Sequence, residues 1–412
     1  MESVPGNKKR IQTLFDAQRF KLFDAIVVGA GFAGAVAARQ LAEVSGRKVA
    51  VIEKRSHLAG NAYDHLDEQG VRIHAYGPHI FHTAHERVFR YLSRFTDWRD
   101  YEHEVQAYIY GSYVPVPFNL NSVRMSFDEE KARSLTDLLL GHYGKGARIP
   151  IIELRKSEHI LLKELAEYVY ENVFLHYTVK QWGLKPEEID PAVTARVPVL
   201  VDWDDRYFQD PYQGMPRDGY DLLFKNMLNH PGIEVFLDLD ACNLISFSEV
   251  DAVPDRFQSI LIDGELYNGI VIYTGALDEL CGERFGLLPY RSLDFNYRRY
   301  GMNRVQPCGT VNYTVDRDYT RTSEYTWLTG QKIDKSTIAE EYPRPYTDPL
   351  RQIPYYPVIN EKNLAFYQQY ADLFSELPNF HVLGRLAEYR YYNMDQIVLR
   401  ALELTDEINS SR

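Results

Sequence analysis

The sequence predicts an α/β fold in which a parallel sheet carries a helical-bundle insertion and an antiparallel β-sheet domain. Three observations carry this reading. Residues 24–53 read DAIVVGAGFAGAVAARQLAEVSGRKVAVIE, in the order strand, glycine-rich turn, helix, strand. From about Ser126 to Leu200 apolar residues recur at three- and four-residue spacing, as in DEEKARSLTDLLLGHYG and ILLKELAEYVYENVFLHYTVKQWG. From about Arg291 to Tyr370 the chain turns to short strand-like runs rich in Tyr, Thr and Pro, with few helical patterns.

Each part of the first stretch has a mechanical task. Ala25 to Val28 is short and β-branched, as a strand buried on both faces should be. Gly29, Gly31 and Gly34 follow in G-x-G-x-x-G spacing. The first allows a tight turn, the second lets a pyrophosphate approach the backbone, and the third lets helix pack on strand. The helix start then offers free N–H groups and a positive dipole end to phosphates. Glu53 closes the second strand, about 20 residues past the glycines, where an acid binds a ribose hydroxyl. The combination reads as a Rossmann-like dinucleotide site. The alternative is a βαβ unit whose glycines serve packing only.

Composition narrows the class. At 412 residues the chain has room for two or three domains. A hydrophobic content of 45% with 25% charged residues is that of a soluble globular protein. The net charge of −12 argues against a general nucleic-acid binder and requires a local arginine cluster for any anionic substrate. Cys242, Cys281 and Cys308 lack CxxC spacing, so neither a disulfide framework nor a structural zinc is expected, and a reducing cytoplasm fits. The opening MESVPGNKKRIQTLF has no apolar core of a secretory signal, and no apolar run approaches the roughly 18 residues of a membrane helix. Most of the 31 Tyr residues are expected to serve core and surface packing, while some, clustered in loops, offer a flat face and a hydroxyl that can reach a phosphate or a sugar.

The remaining elements follow in order. QAYIYGSYVPVPFNL, Gln106 to Leu120, alternates around turn residues and predicts a hairpin. Gly219 to Ala276 reads helix, strand, strands, ending in Thr-Gly-Ala. NFHVLGRLAEYRYYNMDQIVLRALELTDEI reads strand, loop, helix and returns the chain to the nucleotide-binding domain. The division expected is 22–104, 215–275 and 376–412 for that domain, 120–200 for the helical domain, and 105–119, 201–214 and 276–375 for the sheet domain. Residues 1–21 read as a polar N-terminal extension.

After Glu53 comes KRSHLAGNAYD. It resembles the second motif of flavoproteins with two dinucleotide-binding domains, with Arg55, Gly60 and Asn61 in place and Ala59 where that group carries a first glycine. The resemblance implies FAD, held without a covalent link because no Cys or His stands in a flavin-linking motif.

Further strings resemble the bacterial UDP-galactopyranose mutases: AYGPHIFHT (75–83), HYTVKQWG (176–183), ARVPVLVDWDDRYF (195–208), YTRTSEYT (319–326), IPYYP (353–357) and GRLAEYRYYNMD (384–395). They run from the first strand to the last helix. The family implies a three-domain flavoprotein, usually homodimeric and cytoplasmic. It implies an isomerase that interconverts UDP-galactopyranose and UDP-galactofuranose through a covalent adduct of the sugar with N5 of reduced FAD, with no net redox and with NAD(P)H or another reductant as electron source.

By the same resemblance Arg196 and Arg321 bind the substrate diphosphate, where a guanidinium fork would stabilise the charge gained by leaving UDP. Phe174 and Tyr177 flank the uracil, Thr178 lies in the same segment, and Trp182 borders the sugar. Asn119, Tyr207, Asn312, Tyr356 and Tyr391 match substrate-contacting positions. His79 sits against the flavin ring near N5, and Phe32, Lys54 and Ile80 extend the cofactor contacts. Gly384, Arg385, Tyr391, Asn393 and Met394 form the C-terminal flavin segment, with Asn393 replacing the family's usual Asp. His79, His82 and His85 invite a metal reading, but Pro78 and the lack of an i, i+4 pair oppose it, and no metal is expected. Arg196, between Pro191 and Pro198, is placed on a loop that folds over bound substrate. Two other readings stay open: an amine-oxidase-like flavin oxidoreductase and a non-catalytic nucleotide-sugar binder. A yellow protein that interconverts the two UDP-galactose forms only when reduced separates them.

Overall fold

The computed structural model describes residues 19–183, 198–249 and 256–410. Arg196 and the Pro191–Pro198 loop reading lie outside these residues, apart from Pro198 itself. β1 (Ala25–Val28), α1 (Phe32–Ser45) and β2 (Val49–Ile52) form the expected unit, with the strands parallel and Ala25 opposite Val49. Alternate residues of β1 serve two cores: Ala25 and Val27 pack with α1, while Ile26 packs on the other face with Ala50, Ile52 and Val271. A sheet covered on both faces needs apolar residues on both, which explains the unbroken apolar runs.

Strands from three separate stretches complete this sheet. Its order is Ile233–Phe236, β2, β1, Ile270–Tyr273, Phe380–Val382, every pair parallel. The C-terminal helix Met394–Ser410 returns and packs on α1.

A second, seven-stranded sheet runs Tyr356–Pro357, Tyr290–Tyr300, Ser336–Pro345, Arg321–Glu324, Thr310–Tyr313, Val105–Ile109, Ser112–Val116. Neighbours are antiparallel except Thr310–Tyr313 with Val105–Ile109, which is parallel. Those two strands are far apart in the chain, so no tight turn dictates their relative direction. The expected hairpin is the edge of this sheet. It turns at Tyr110 and Gly111, whose φ of 46° and 96° are the left-handed pair a two-residue turn needs.

The helical part holds Leu120–Ser126, Glu129–Tyr143, Ile160–Val169, a π turn Tyr170–Leu175 and His176–Trp182. Leu162, Leu165, Ala166 and Val169 are buried at helical spacing and pack with Val105, Ala107, Val114 and Val116 of the hairpin.

Two local expectations fail. The stretch read as strand-like through Tyr370 contains helix Glu361–Leu373, whose start is capped by Asn360 accepting from the Asn363 backbone at 2.8 Å. Its Tyr370 and Leu373 pack in the parallel-sheet core beside Phe380. Phe20, inside the stretch read as polar extension, is fully buried with its ring 4.6 Å from that of Phe236.

Candidate active site

Two cavities meet between the sheets. A groove of about 260 Å³ is lined by Gly29, Gly31, Phe32, Glu53, Lys54, Gly60 and Gly384, along the carboxyl ends of the parallel strands. A cavity of about 590 Å³ is lined by Ile80, Tyr177, Tyr207, Asn312, Arg321, Tyr356 and Tyr391. Asn61, His79, Tyr355, Arg385, Asn393 and Met394 line both, and so mark the junction.

The glycines of the groove divide their tasks as the spacing requires. Gly29 has φ +100°, and a Cβ there would lie 2.1 Å from Thr274 Oγ1. A Cβ on Gly34 would lie 1.9 Å from the Gly29 carbonyl, so this glycine permits the helix–strand contact. Gly31 faces Gly60, whose own Cβ would stand 3.0 Å from the Gly31 Cα. Side chains are thus absent on both walls at the mouth of α1. No side chain caps α1 and no acid stands in its first turn, which leaves its N–H groups to an anion. Beside this mouth Arg55 donates to Asn61 Oδ1 at 2.9 Å, lies over the Tyr76 ring, and keeps Nη1 buried without a partner. Glu53 is fixed by two backbone donors, Ala30 at 2.9 Å and Arg55 at 3.0 Å, leaving each oxygen a second lone pair for a ribose hydroxyl. Lys54 pairs with Glu279 at 2.6 Å. Open glycine walls, an uncapped helix start, an orphaned guanidinium N–H and a braced acid fit a dinucleotide diphosphate and its ribose.

Ala59, the departure from the flavoprotein motif, has φ +72°. Its position is therefore one where glycine is free and alanine is strained by about 1 kcal/mol.

At the junction His79 Nδ1 lies 2.9 Å from the Gly77 carbonyl. A carbonyl only accepts, so Nδ1 carries the proton and Nε2 is a bare acceptor. Burial first, and then His74, lower its pKa to about 3, so the ring is neutral. Arg385 donates to the Tyr355 and Tyr392 carbonyls at 3.2 and 2.6 Å and lies over the rings of Tyr356 and Tyr391, which stack at 5.7 Å and 10°. Asn393 donates its backbone N–H to Gln396 at 2.9 Å, opening the C-terminal helix. His82 pairs with Asp210 at 2.8 Å and stacks on Phe208. His85 precedes the helix Glu86–Leu92, and among the described residues the three histidines do not group as metal ligands.

In the larger cavity Arg321 Nε and Nη2 bind a single oxygen of Glu341 at 2.9 and 2.8 Å. Burial opposes the Arg321 charge most strongly, but Glu341, Tyr177 and Tyr356 together outweigh it and the pKa stands well above its ordinary value. Burial likewise raises the hydroxyls of Tyr177 and Tyr356, the latter to about 12, so both are neutral donors.

Four expected substrate contacts line neither cavity. Asn119 caps helix Leu120–Ser126, and every polar atom of its side chain is engaged, with Ser122, Asp204 and Asp205. Phe174 is a core residue of the helical cluster, one turn before Tyr177. Phe174 lies inside the π turn Tyr170–Leu175 and packs with Tyr170 and Val173, whereas Tyr177, on the helix that follows, reaches the cavity. Thr178 is buried in that helix, and the Trp182 ring lies 5.9 Å from that of Tyr356, which lines the cavity. Conversely, Glu341, Tyr355 and Arg148 line the cavities without having been singled out. The signal for Glu341 is a pair of acids, Glu340 and Glu341, inside the strand run STIAEEYPRP.

A family model described as UDP-galactopyranose mutase matches residues 172–391, and one for an NAD(P)-binding Rossmann-like domain matches 27–95. The UDP-galactopyranose mutase of Mycoplasma pneumoniae is 33% identical over 393 residues, covering 94% of this chain and 96% of its own. This chain belongs to the UDP-galactopyranose mutase family. A second relative, the dTDP-fucopyranose mutase of Escherichia coli, is 36% identical over 381 residues, 92% of this chain and 96% of its own. The crystal structure of a reduced UDP-galactopyranose mutase shares the fold, with a TM-score of 0.65 at 15% identity over 94% of each chain. Putrescine oxidase matches at a TM-score of 0.55 and 14% identity over 94% of this chain and 99% of its own, which relates the amine-oxidase-like reading to the mutase family by fold alone.

Proposed function

We propose that this chain interconverts the pyranose and furanose forms of UDP-galactose, as an intramolecular transferase that binds FAD. The observation that carries this is the junction: a dinucleotide groove opens through six shared residues into a polar cavity lined by the cations Arg148, Arg321 and Arg385. When bound and reduced, FAD supplies the nucleophile for the anomeric carbon, so the reaction consumes no reductant per turnover.

The proposal assigns these roles to the chain's own residues, supported for all but Arg196 by the cavities they line or adjoin. Gly29, Gly31, Gly34, Glu53, Gly60, Gly384 and Arg385 hold the cofactor. Arg321, with Arg196 from outside the described residues, stabilises charge on the departing diphosphate. Tyr177, Tyr207 and Tyr356 donate neutral hydroxyls to it without adding charge. The Tyr356–Tyr391 stack, held by Arg385, walls the sugar from water. Neutral His79 accepts through Nε2 at the junction. The proposal extends to the three-domain division, a homodimer, a cytoplasmic setting, and NAD(P)H or another reductant. Three free cysteines favour a reducing setting, and among the described residues no helix is long and apolar enough to cross a membrane.

The test is purified protein with UDP-galactofuranose, followed by chromatography with and without dithionite. UDP-galactopyranose should form only after reduction. The dTDP-fucopyranose relative adds a second sugar to the same run, dTDP-fucose, which lacks the 6-hydroxyl. Turnover of dTDP-fucose alone would replace the substrate, and oxygen consumption with amines in place of sugar turnover would remove the mutase reading.

A further inference from the structure

Asn312, Arg321 and Glu341 stand directly opposite one another on three adjacent strands, in the register Asn312↔Arg321↔Glu341. Residues opposite in a sheet point to one face, and all three line the larger cavity. Arg321 directs both Nε and Nη2 to one Glu341 oxygen, Oε2. Glu341 is 2% exposed, yet its other oxygen, Oε1, has no partner, and neither has Asn312 Oδ1. An orphaned buried acceptor is costly and calls for an explanation.

The diphosphate is not that explanation. Its oxygens only accept and carry negative charge, so they bind Arg321 and are repelled by Glu341. A carboxylate oxygen beside a phosphate-binding arginine can be satisfied only by a donor. Its place selects which donor. A Cβ on Gly77 would lie 3.7 Å from Glu341 Oε2, and the Gly77 carbonyl holds His79 at the junction of the two cavities. Glu341 therefore stands at the reacting end of the cavity, where hexose hydroxyls lie.

We propose that Glu341 is a specificity-determining residue for the sugar: Oε2 holds Arg321 in place for the phosphates, while Oε1 accepts a hydroxyl of the hexose. This rests on the nucleotide-sugar reading above. A site built to hydrogen-bond a hydroxyl rejects analogues that lack it, because the buried acceptor is left unpaired.

The test uses FAD-loaded, oxidised protein and calorimetric binding of UDP, UDP-galactose, and UDP-galactose carrying fluorine at C2, C3, C4 or C6. Fluorine keeps the volume and cannot donate. One analogue should bind wild type about tenfold or more weakly than the parent. In Glu341→Gln the amide oxygen turns to Arg321 and the NH₂ faces the cavity. UDP-galactose should then fall to the level of that analogue, with no further loss when variant and analogue are combined, while UDP binding holds or tightens. Should Glu341→Gln fail to retain FAD, the same coupling is read on Glu341→Asp. Equal weakening of UDP and UDP-galactose would reduce Glu341 to a brace for Arg321 and overturn the proposal. Indifference to every fluorine, with mutase turnover intact, would overturn it and spare the function. Binding of UDP but of no nucleotide sugar would overturn both.

Discussion

Gly31→Ala separates the fold from the cofactor site. At Gly31 the backbone is at φ −82° and ψ −172°, extended, which alanine adopts without strain. Its Cβ would meet the Gly60 Cα at 3.6 Å and the Ala59 carbonyl at 3.9 Å, ordinary contacts. Replacing glycine by alanine at a helix N-cap costs roughly 0.5–1 kcal/mol, so the protein should fold with little loss. The methyl nevertheless fills the space through which a phosphate oxygen reaches the N–H groups of α1. Losing two such bonds to a charged group costs about 3 kcal/mol or more, a hundredfold or greater drop in affinity. Gly34→Ala is the control of opposite kind: its Cβ would lie 1.9 Å from the Gly29 carbonyl, so strand and helix must separate. The assay pairs flavin-to-protein absorbance and FAD titration with urea midpoints. Gly31→Ala should keep its midpoint and lose FAD, and Gly34→Ala should lose both. A Gly31→Ala protein that purifies with full flavin at wild-type affinity would refute the assignment of this turn to the diphosphate.

Arg321→Ala should keep its flavin but lower turnover by about a hundredfold or more, since it removes a cation from the phosphate site and leaves Glu341 unpaired; near-normal turnover would remove Arg321 from the site. Asn119→Ala should lower the urea stability by about 1 kcal/mol through the lost helix cap and leave KM for UDP-galactose unchanged, whereas a raised KM would restore the substrate contact. Ala59→Gly should raise stability by up to about 0.5–1 kcal/mol, because relief of the left-handed alanine exceeds the added entropy of the unfolded chain; a lower midpoint would contradict the strain. His74, His79 and His103 are each held near a pKa of about 3 by burial, against an ordinary 6.5. The unfolded chain then binds more protons between those values, so their contribution is full above pH 6.5 and falls by about 1.4 kcal/mol per histidine per unit below it. Urea midpoints at pH 7.5 and 5.5 should show this loss, and equal midpoints would deny the burial of these rings.

What the sequence discloses depends on how far apart the interacting atoms lie along the chain. The nucleotide turn is readable because Gly34 meets Gly29 and Val27 within a few residues, so spacing encodes the helix–strand contact, while the partners of Gly29 and Gly31, Thr274 and Gly60, lie farther along the chain. The hairpin is readable for the same reason, its turn lying at Tyr110 and Gly111. Even the strain at Ala59 is foreshadowed, as a missing glycine in a motif. Asn119 is instructive in the other direction. The string NLNS already contains the capping box Asn119–Ser122, a local signal, but its place beside family-like strings assigned it to the substrate. Phe174 packs in the helical core because it lies inside a π turn, which helical spacing does not anticipate. Helix Glu361–Leu373 fails because its tyrosines and phenylalanine carry strand preference, which docking of Tyr370 and Leu373 on the parallel sheet overrides. Glu341 marks the physical limit. Alone it is an acid in a strand, and nothing beside it in sequence explains a buried carboxylate. Only the pairing of Ser336–Pro345 with Arg321–Glu324, and of that strand with Thr310–Tyr313, sets an amide, a guanidinium and a carboxylate in one row. A one-residue slip in either pairing would turn the displaced strand's side chain to the opposite face and dissolve the row. The chemistry of the larger cavity is therefore a property of sheet register, and a test of Glu341 is also a test of that register.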